Sequence, residues 1–455
     1  MATVFGTSGN DVINATYVDA FGNSVSDAND TVFADPGNDL VFGLGGNDVL
    51  DGGADNDVLI GGPGADALFG GTGNDTASYA TSAAGVTVSL AAGVGANGDA
   101  EGDTLNGIEN LTGSDFNDVL IGDASANRLI GGAGNDVIAA GVEDFILGGG
   151  GIDTVTFLFS AEAVSINLLS GGSIQGIESV IGSNFDDTIR GDDGDNFLDG
   201  GAGDDELLGE FGDDELEGGD GNDRLDGGGG NNTLSGGPGN DTYIVRALTD
   251  HVSEGIASSG VDAVLSSITY SLATDASGDV ENLTLTGSGA LNGTGNGLAN
   301  EITGNASANK LLGLGGNDFL FGLSGNDKLF GDAGNDTLTG AKGRDVMFGD
   351  AGRDIFDFNA IADSKKGAQR DKINHFSRGQ NDKIDLEDID AKTGVSGNNK
   401  FKFIGKDDFH DKKGELRYED KGSKVIVQGD VNGDGKADFE IFVKVGALSS
   451  GDFFL

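Results

Sequence analysis

Aspartate keeps a nine-residue period through much of this chain: Asp30, Asp39, Asp48, Asp57, Asp66 and Asp75 follow one another at that spacing. The surrounding blocks read GLGGNDVLD (43–51), GGADNDVLI (52–60), GGPGADALF (61–69) and GGTGNDTAS (70–78). All are versions of G-G-x-G-x-D-x-U-x, with U a large apolar residue, and the geometric solution to that repeat is a parallel β-roll. Positions 1 to 6 form a turn, where glycine supplies the left-handed backbone and close approach that a corner needs. Positions 7 to 9 form a short strand with U inward, so Val32, Val41, Leu50, Leu59 and Leu68 stack as a ladder. Two repeats complete one coil, so turns on the same edge recur about 4.8 Å apart. Asp39 then faces Asp57, and Asp48 faces Asp66.

The period returns in three later runs. The second holds Asp118, Asn127, Asp136, Asp144 and Asp153, with one slip between Asp136 and Asp144. The third holds Asp187, Asn196, Asp205, Asp214, Asp223, Asn232 and Asp241; the fourth holds Asn300, Asn309, Asp318, Asp327, Asp336, Asp345 and Asp354. A forerunner of the first run stands at GTSGNDVIN (6–14). The chain thus divides into roll segments 1–75, 113–153, 182–241 and 292–357, with spacers at 76–112, 154–181 and 242–291. The spacers contain strand-like alternation in GVTVSLAAG, VSINLLSGG and SSITYSL, and are expected to continue the coil as wider turns. Residues 358–455 differ: seventeen of the 26 lysines and arginines lie from Lys365 onward. Strand pairs joined by KG and NGDG turns predict a compact antiparallel β cap there. The expected fold class is all-β, a solenoid of nonapeptide repeats with a C-terminal antiparallel cap.

The formal charge is −50. Two carboxylates 4 Å apart repel by roughly 4 kcal/mol at an effective dielectric near 20. A column of aspartates at rung spacing therefore resists compaction unless cations sit between them. A halophile-like acidic surface is the competing reading, but such acid is scattered, whereas this acid is phased. One buried apolar side chain per repeat also offsets only part of the backbone ordering entropy. Calcium takes about 6–8 oxygens, which carboxylates and turn carbonyls can supply, so folding is expected to be coupled to several bound calcium ions. The candidate ligands are Asp30, Asp39, Asp48, Asp57, Asp66, Asp75, Asp118, Asp136, Asp153, Asp187, Asp205, Asp214, Asp223, Asp241, Asp318, Asp327, Asp336, Asp345 and Asp354. Asn127, Asn196, Asn232, Asn300 and Asn309 keep an oxygen but lose a charge, and mark weaker or vacant sites. Asp430, Asn432, Asp434 and Asp438 fill positions 1, 3, 5 and 9 of an EF-hand-like loop, but position 12 is Ile441; a hairpin turn and a further calcium site both remain open.

The repeats resemble the RTX (haemolysin-type calcium-binding) family. The last hundred or so residues resemble the C-terminal domain of serralysin-type metalloproteases, in RDIFDFN (353–359), RDKINHF (370–376), GQNDKIDLEDID (379–390), FKFIG (401–405), GELRY (414–418) and GDVNGDGKADFEI (429–441). The ending Asp452-Phe453-Phe454-Leu455 is similar to that family's terminal secretion motif. The resemblance implies export of the unfolded chain by type I secretion machinery and folding on external calcium. The start, MATVFGTSGNDVIN, has neither the basic nor the apolar stretch of a conventional signal peptide, and there is no cysteine, which fits that route.

Serralysins carry an H-E-x-x-H zinc helix, and here the three histidines, His251, His375 and His410, are far apart. The protease is missing, as are a G-x-S-x-G elbow, a Walker loop and a dinucleotide fingerprint. No apolar run approaches the ~18 residues of a membrane span, and so acidic a chain is no partner for nucleic acid. The leading expectation is a secreted, non-enzymatic calcium-binding protein of the bacterial cell surface or matrix. Its partners would be extracellular polysaccharide or protein; the exposed positions bearing Phe33, Phe42, Phe69, Phe321, Phe330 and Phe348 suit contact patches and equally suit shielding of the roll's edges or caps. The rival is a polysaccharide-modifying, epimerase-like enzyme with a site in the spacers, where Tyr243, Arg246, Asp250 and His251 lie close in sequence.

Overall fold

Alternation builds the strands. The x-U-x triplets form strands of three residues with a buried centre, as in Thr31–Phe33, Leu40–Phe42 and Val58–Ile60. Val32, Val41, Leu50, Leu59 and Leu68 are all buried. Val32 pairs with Leu50 and Leu50 with Leu68 in one parallel ladder, while Val41 pairs with Leu59 in another. This computed structural model describes residues 1–169, 171–254, 259–276 and 279–455. Ser170 of VSINLLSGG, and residues 255–258 and 277–278 of the third spacer, lie outside the described residues.

The chain forms two units, Met1–Asp223 and Arg224–Leu455. In the first, one ladder runs from Thr3–Phe5 through Val49–Ala54, Val119–Ile121 and Phe197–Ala202 to Glu215–Asp220. A second runs from Val12–Ile13 through Leu40–Phe42 and Arg128–Ala133 to Ile174–Gln175. In the second unit, one ladder joins Arg224–Asp226, Ala263–Ser266, Phe319–Phe321 and, at its end, Phe453–Phe454; another joins Tyr270–Ser271, Lys310–Leu312, Val346–Phe348 and Asp371–Asn374. Among the described residues there is no α-helix. The fold class is a parallel β-roll.

The first spacer is not simply a wider coil. Thr87–Ser89 pairs in parallel with Val119–Ile121, as the alternation predicts. Val94–Ala96, however, runs antiparallel to Thr87–Ser89 and to Thr104–Asn106, which then rejoins Ala67–Thr72 in parallel. Gly93, at φ +66°, makes the reversal. In the tail, Glu415–Asp420, Val425–Asp430 and Phe439–Val443 form the expected antiparallel meander. Its last strand pairs in parallel with Asp371–Asn374, so the meander extends a ladder of the roll.

Close stacking makes glycine obligatory at the corners. Gly62 has φ +89°, and a Cβ there would lie 2.0 Å from the carbonyl oxygen of Leu44 one coil away. The apolar ladder is as narrow: one side chain per strand fills it. Leu59→Ala should therefore destabilise the calcium-loaded protein by about 2–5 kcal/mol, read as a lower denaturant midpoint; substitution of the neighbouring Val58, half-buried on the outer face, should cost far less.

Candidate metal centre

A hydrogen bond across one coil positions each aspartate at position 6. The main-chain N–H of Asp39 donates to Oδ1 of Asp57 (2.8 Å), that of Asp48 to Asp66 (2.7 Å) and that of Asp57 to Asp75 (2.8 Å). The same bond joins Asp30 to Asp48, Asp118 to Asp136, Asp187 to Asp205, Asp205 to Asp223, Asp318 to Asp336, Asp327 to Asp345 and Asp336 to Asp354. Asp136 reaches Asp153 across the slip. At the starts of runs, Ala2, Asp11, Val86 and Val164 donate to Asp30, Asp39, Asp118 and Asp187. Asn196, Asn300 and Asn309 donate to Asp214, Asp318 and Asp327. Every aspartate predicted as a ligand, Asp241 included, is buried.

The second carboxylate oxygen separates them. Oδ2 of Asp39, Asp48, Asp57, Asp66, Asp75, Asp136, Asp153, Asp205, Asp318, Asp327, Asp336, Asp345 and Asp354 is buried and receives no hydrogen bond. A buried, unmatched carboxylate oxygen is costly. Except at Asp39, whose turn has Ala34 at position 1, each points at the position-1 glycine of its own turn. A Cβ on Gly52 would lie 2.5 Å from Asp57 Oδ2 and 2.8 Å from the carbonyl oxygen of Gly70 in the next coil; on Gly313 it would lie 2.1 Å from Asp318 Oδ2 and 2.7 Å from the Gly331 oxygen. In the glycine turns, carboxylate and carbonyl oxygens thus converge on a gap that a side chain at position 1 would fill. This all-oxygen donor set fits calcium. Asp30, Asp118 and Asp187 differ, because Ser26, Ser114 and Ser183 donate both N–H and hydroxyl to their carboxylates.

The bond across one coil also finds acids that the nine-residue count misses. Asp66 donates to Asp103, Asp75 to Glu109, Asp153 to Glu178, Asp262 to Glu281, Asp345 to Asp371 and Asp354 to Asp382. Spacers of irregular length put them out of phase, yet each opens an acid-x-U-x phrase (DTLN, ENLT, ESVI, DKIN, DKID) that could have revealed it. Asp241, Glu254 and Asp262 form a buried cluster with ligand oxygens within 4.8 Å of one another. Asp241 N–H donates to Asp262 Oδ1 (2.8 Å) and the Tyr243 hydroxyl to Glu254 Oε1 (2.5 Å).

Other sequence candidates are not assembled. Tyr243 is buried, Arg246 pairs with Asp226, Asp250 accepts the N–H groups of Arg246 and Ala247, and His251 is exposed. Asp430 accepts from the N–H groups of Gly433 and Gly435, and Asp438 from those of Val431 and Asn432, the pattern of a hairpin turn closed by its own side chains. Of the phenylalanines expected to face outward, only Phe69 is open; Phe33, Phe42, Phe321, Phe330 and Phe348 are half-buried. Parallel stacking explains this, since identical positions meet rung to rung: Phe330 lies on Phe348 with ring centroids 4.5 Å apart, and Phe5 on Phe33 at 5.6 Å.

Electrostatics follow burial. Desolvation pushes the carboxyls of Asp48, Asp57, Asp136, Asp214, Asp223, Asp318, Asp327 and Asp336 up to about 6, and those of Asp66, Asp205, Asp345 and Asp354 up to about 7. Neighbouring carboxylates add to the rise at Asp48, Asp57 and Asp354. Asp30 moves the other way: burial opposes ionisation, but hydrogen bonds from Ala2 and Ser26 outweigh it.

This geometry defines a calcium-binding β-roll, and comparison with known proteins places it further. Residues 25–59, 42–77, 98–141, 175–207 and 208–243 match the RTX calcium-binding nonapeptide repeat, and residues 301–455 match the peptidase M10 serralysin C-terminal family. The chain carries RTX repeats, which bind calcium in several copies, and a serralysin-type C-terminal domain; no protease domain is among the matches. Among curated proteins none matches. A solved structure, the AlgE6R3 subunit of the Azotobacter vinelandii mannuronan C5-epimerase, is similar at 25% identity over 35% of this chain and 78% of that one, with a TM-score of 0.21.

The raised carboxyls give the metal-free protein a definite pH response. Between pH ~4 and ~7 the folded state holds more protons than the unfolded state, so stability falls as pH rises through this window. Calcium-stripped protein should gain β structure on acidification from pH 7 to 5, and calcium should bind more weakly at pH 5 because protons compete for the same oxygens. Circular dichroism and calcium titration at the two pH values check both signs.

Proposed function

We propose that this protein is a secreted, non-enzymatic calcium-binding protein that folds on meeting external calcium and serves as a structural or interaction module at the cell surface or in matrix. The observation that supports this most is the set of buried Oδ2 atoms, in Asp57, Asp66, Asp205, Asp336 and their equivalents, which no protein donor serves. Once ionised, and stacked rung on rung, they oppose the metal-free fold; a divalent ion between turns reverses the sign of that interaction. Extracellular calcium is abundant and cytosolic calcium scarce, so a fold gated by this ion stays loose inside the cell and sets outside it. Type I secretion suits such a chain, and the serralysin-type C terminus is the part the exporter would read. The ligands would be the aspartates whose Oδ2 is left without a donor, completed by carbonyls of the turns that flank them.

Among the described residues, the side chains named for the polysaccharide-modifying alternative do not converge. Its candidate residues point apart, with Tyr243 inward, Arg246 engaged by Asp226 and His251 outward. At millimolar calcium the β signal in circular dichroism should rise several-fold over that in chelator. Each site filled to 100 times its dissociation constant should add about 2.7 kcal/mol, raising the melting temperature with calcium concentration. Equal β content in chelator and in calcium would refute the coupling.

A further inference from the structure

The turns fall into two classes that the nine-residue spacing does not distinguish, and the residue at position 2, four before the position-6 residue, sorts them. Ahead of Asp39, Asp48, Asp57, Asp66 and Asp75 stand Asp35, Leu44, Gly53, Gly62 and Gly71, all with φ between +67° and +107°. Ahead of Asp136, Asp153 and Asp205 stand Gly132, Gly149 and Gly201, and ahead of Asp318, Asp327, Asp336, Asp345 and Asp354 stand Leu314, Leu323, Asp332, Ala341 and Asp350, again all left-handed. Seven of these are non-glycine residues, for which that backbone costs energy. In every one of these turns Oδ2 of the aspartate receives no hydrogen bond.

In the second class position 2 is Ser26, Ser114, Asp123, Ser183, Asp192, Asn296 or Asn305, and none of these has positive φ. Their main-chain N–H groups turn inward and donate to the position-6 side chain, in Asp30 (2.8 Å), Asp118 (2.5 Å), Asn127 (2.7 Å), Asp187 (2.5 Å), Asn196 (2.8 Å), Asn300 (2.8 Å) and Asn309 (2.8 Å). A second donor completes most of them. Ser26, Ser114 and Ser183 add a hydroxyl at 2.8–2.9 Å. In Asn127, Asn300 and Asn309 the side-chain N–H donates to the carbonyls of Glu109 (2.9 Å), Glu281 (3.0 Å) and Leu291 (2.8 Å). The amide thus spends its hydrogen within the protein, and its one oxygen already accepts a main-chain N–H. Asn232 stands apart, with Gly228 left-handed and its amide donating to Asp250 Oδ1 (3.0 Å).

The order is as regular as the geometry. Asp118 and Asn127 open the second run, Asp187 and Asn196 the third, Asn300 and Asn309 the fourth, and two turns make one coil. We propose that turns with a left-handed residue at position 2 take calcium, that turns closed by Ser, Asn or Asp at position 2 take none, and that the last three repeat runs each open on one such metal-free coil. This rests on the calcium reading above and narrows it, removing Asp30, Asp118 and Asp187 from the ligand set. The closed coil presents N–H donors to the first open carboxylates, as Asp118 does to Asp136, Asp187 to Asp205 and Asn309 to Asp327, with nothing but protein holding it. It gives each block of metal turns a first rung that is already satisfied.

Calcium counted by native mass spectrometry on the full chain at saturating calcium tests this. Asp187→Asn should leave the count unchanged, Asp205→Asn should lower it by at least one, and the pair Asn305→Gly with Asn309→Asp should raise it by one. Loss of calcium from Asp187→Asn equal to that from Asp205→Asn would overturn the division, as would no gain in the double variant. Should a variant not fold, calcium anomalous scattering from crystals of the unaltered protein decides: peaks beside Asp205 and Asp336 with none beside Asp187 support it, and a peak beside Asp187 overturns it. No bound calcium anywhere would instead defeat the calcium reading itself.

Discussion

One carboxylate with two tasks organises this molecule. At each open turn Oδ1 accepts the N–H of the aspartate one coil away, as Asp57 does from Asp39 and Asp336 from Asp318, and so fixes the register between coils. Oδ2 is left buried without a donor. The first bond holds the rungs in line, and the second oxygen, buried without a donor, opposes it. Alignment and electrostatic penalty thus come from one side chain, which is the basis of the proposed coupling between folding and calcium.

Glycine and the apolar ladder serve that arrangement. The gap in which carboxylate and carbonyl oxygens meet exists because position 1 carries no side chain: a Cβ at Gly52 would sit among them. The U residues supply a core one side chain wide, sealed from water along its length, with Leu50, Leu59 and Leu198 fully buried. Such a core specifies the inward face but offers little stabilisation per residue. The division of labour is apolar groups for direction and ions for strength.

The runs are linked by segments that break the count without breaking the ladder. Asp103, Glu109, Glu178, Asp371 and Asp382 rejoin the chain of hydrogen bonds after excursions of different length. In these segments an acid followed by x-U-x recreates the strand entry, so length can vary between coils while the rung itself stays constant. The same tolerance lets the C-terminal meander pair with Asp371–Asn374 through Phe439–Val443 and extend the sheet.

The sequence by itself determined the roll, its two-repeat coil, the inward ladder and the identity of the ion, because period, glycine placement and phased charge are local properties that any coil must obey. Tertiary structure decided which carboxylates are open. Asp187 and Asp205 occupy the same place in their repeats and both are buried, yet only one has Ser183 turning an amide and a hydroxyl onto it. That difference is a backbone φ and the direction of one N–H, which a spacing pattern does not record. The half-buried phenylalanines escaped the spacing pattern for a related reason: one face of Phe330 is covered by Phe348, one coil further on, which stacks against it.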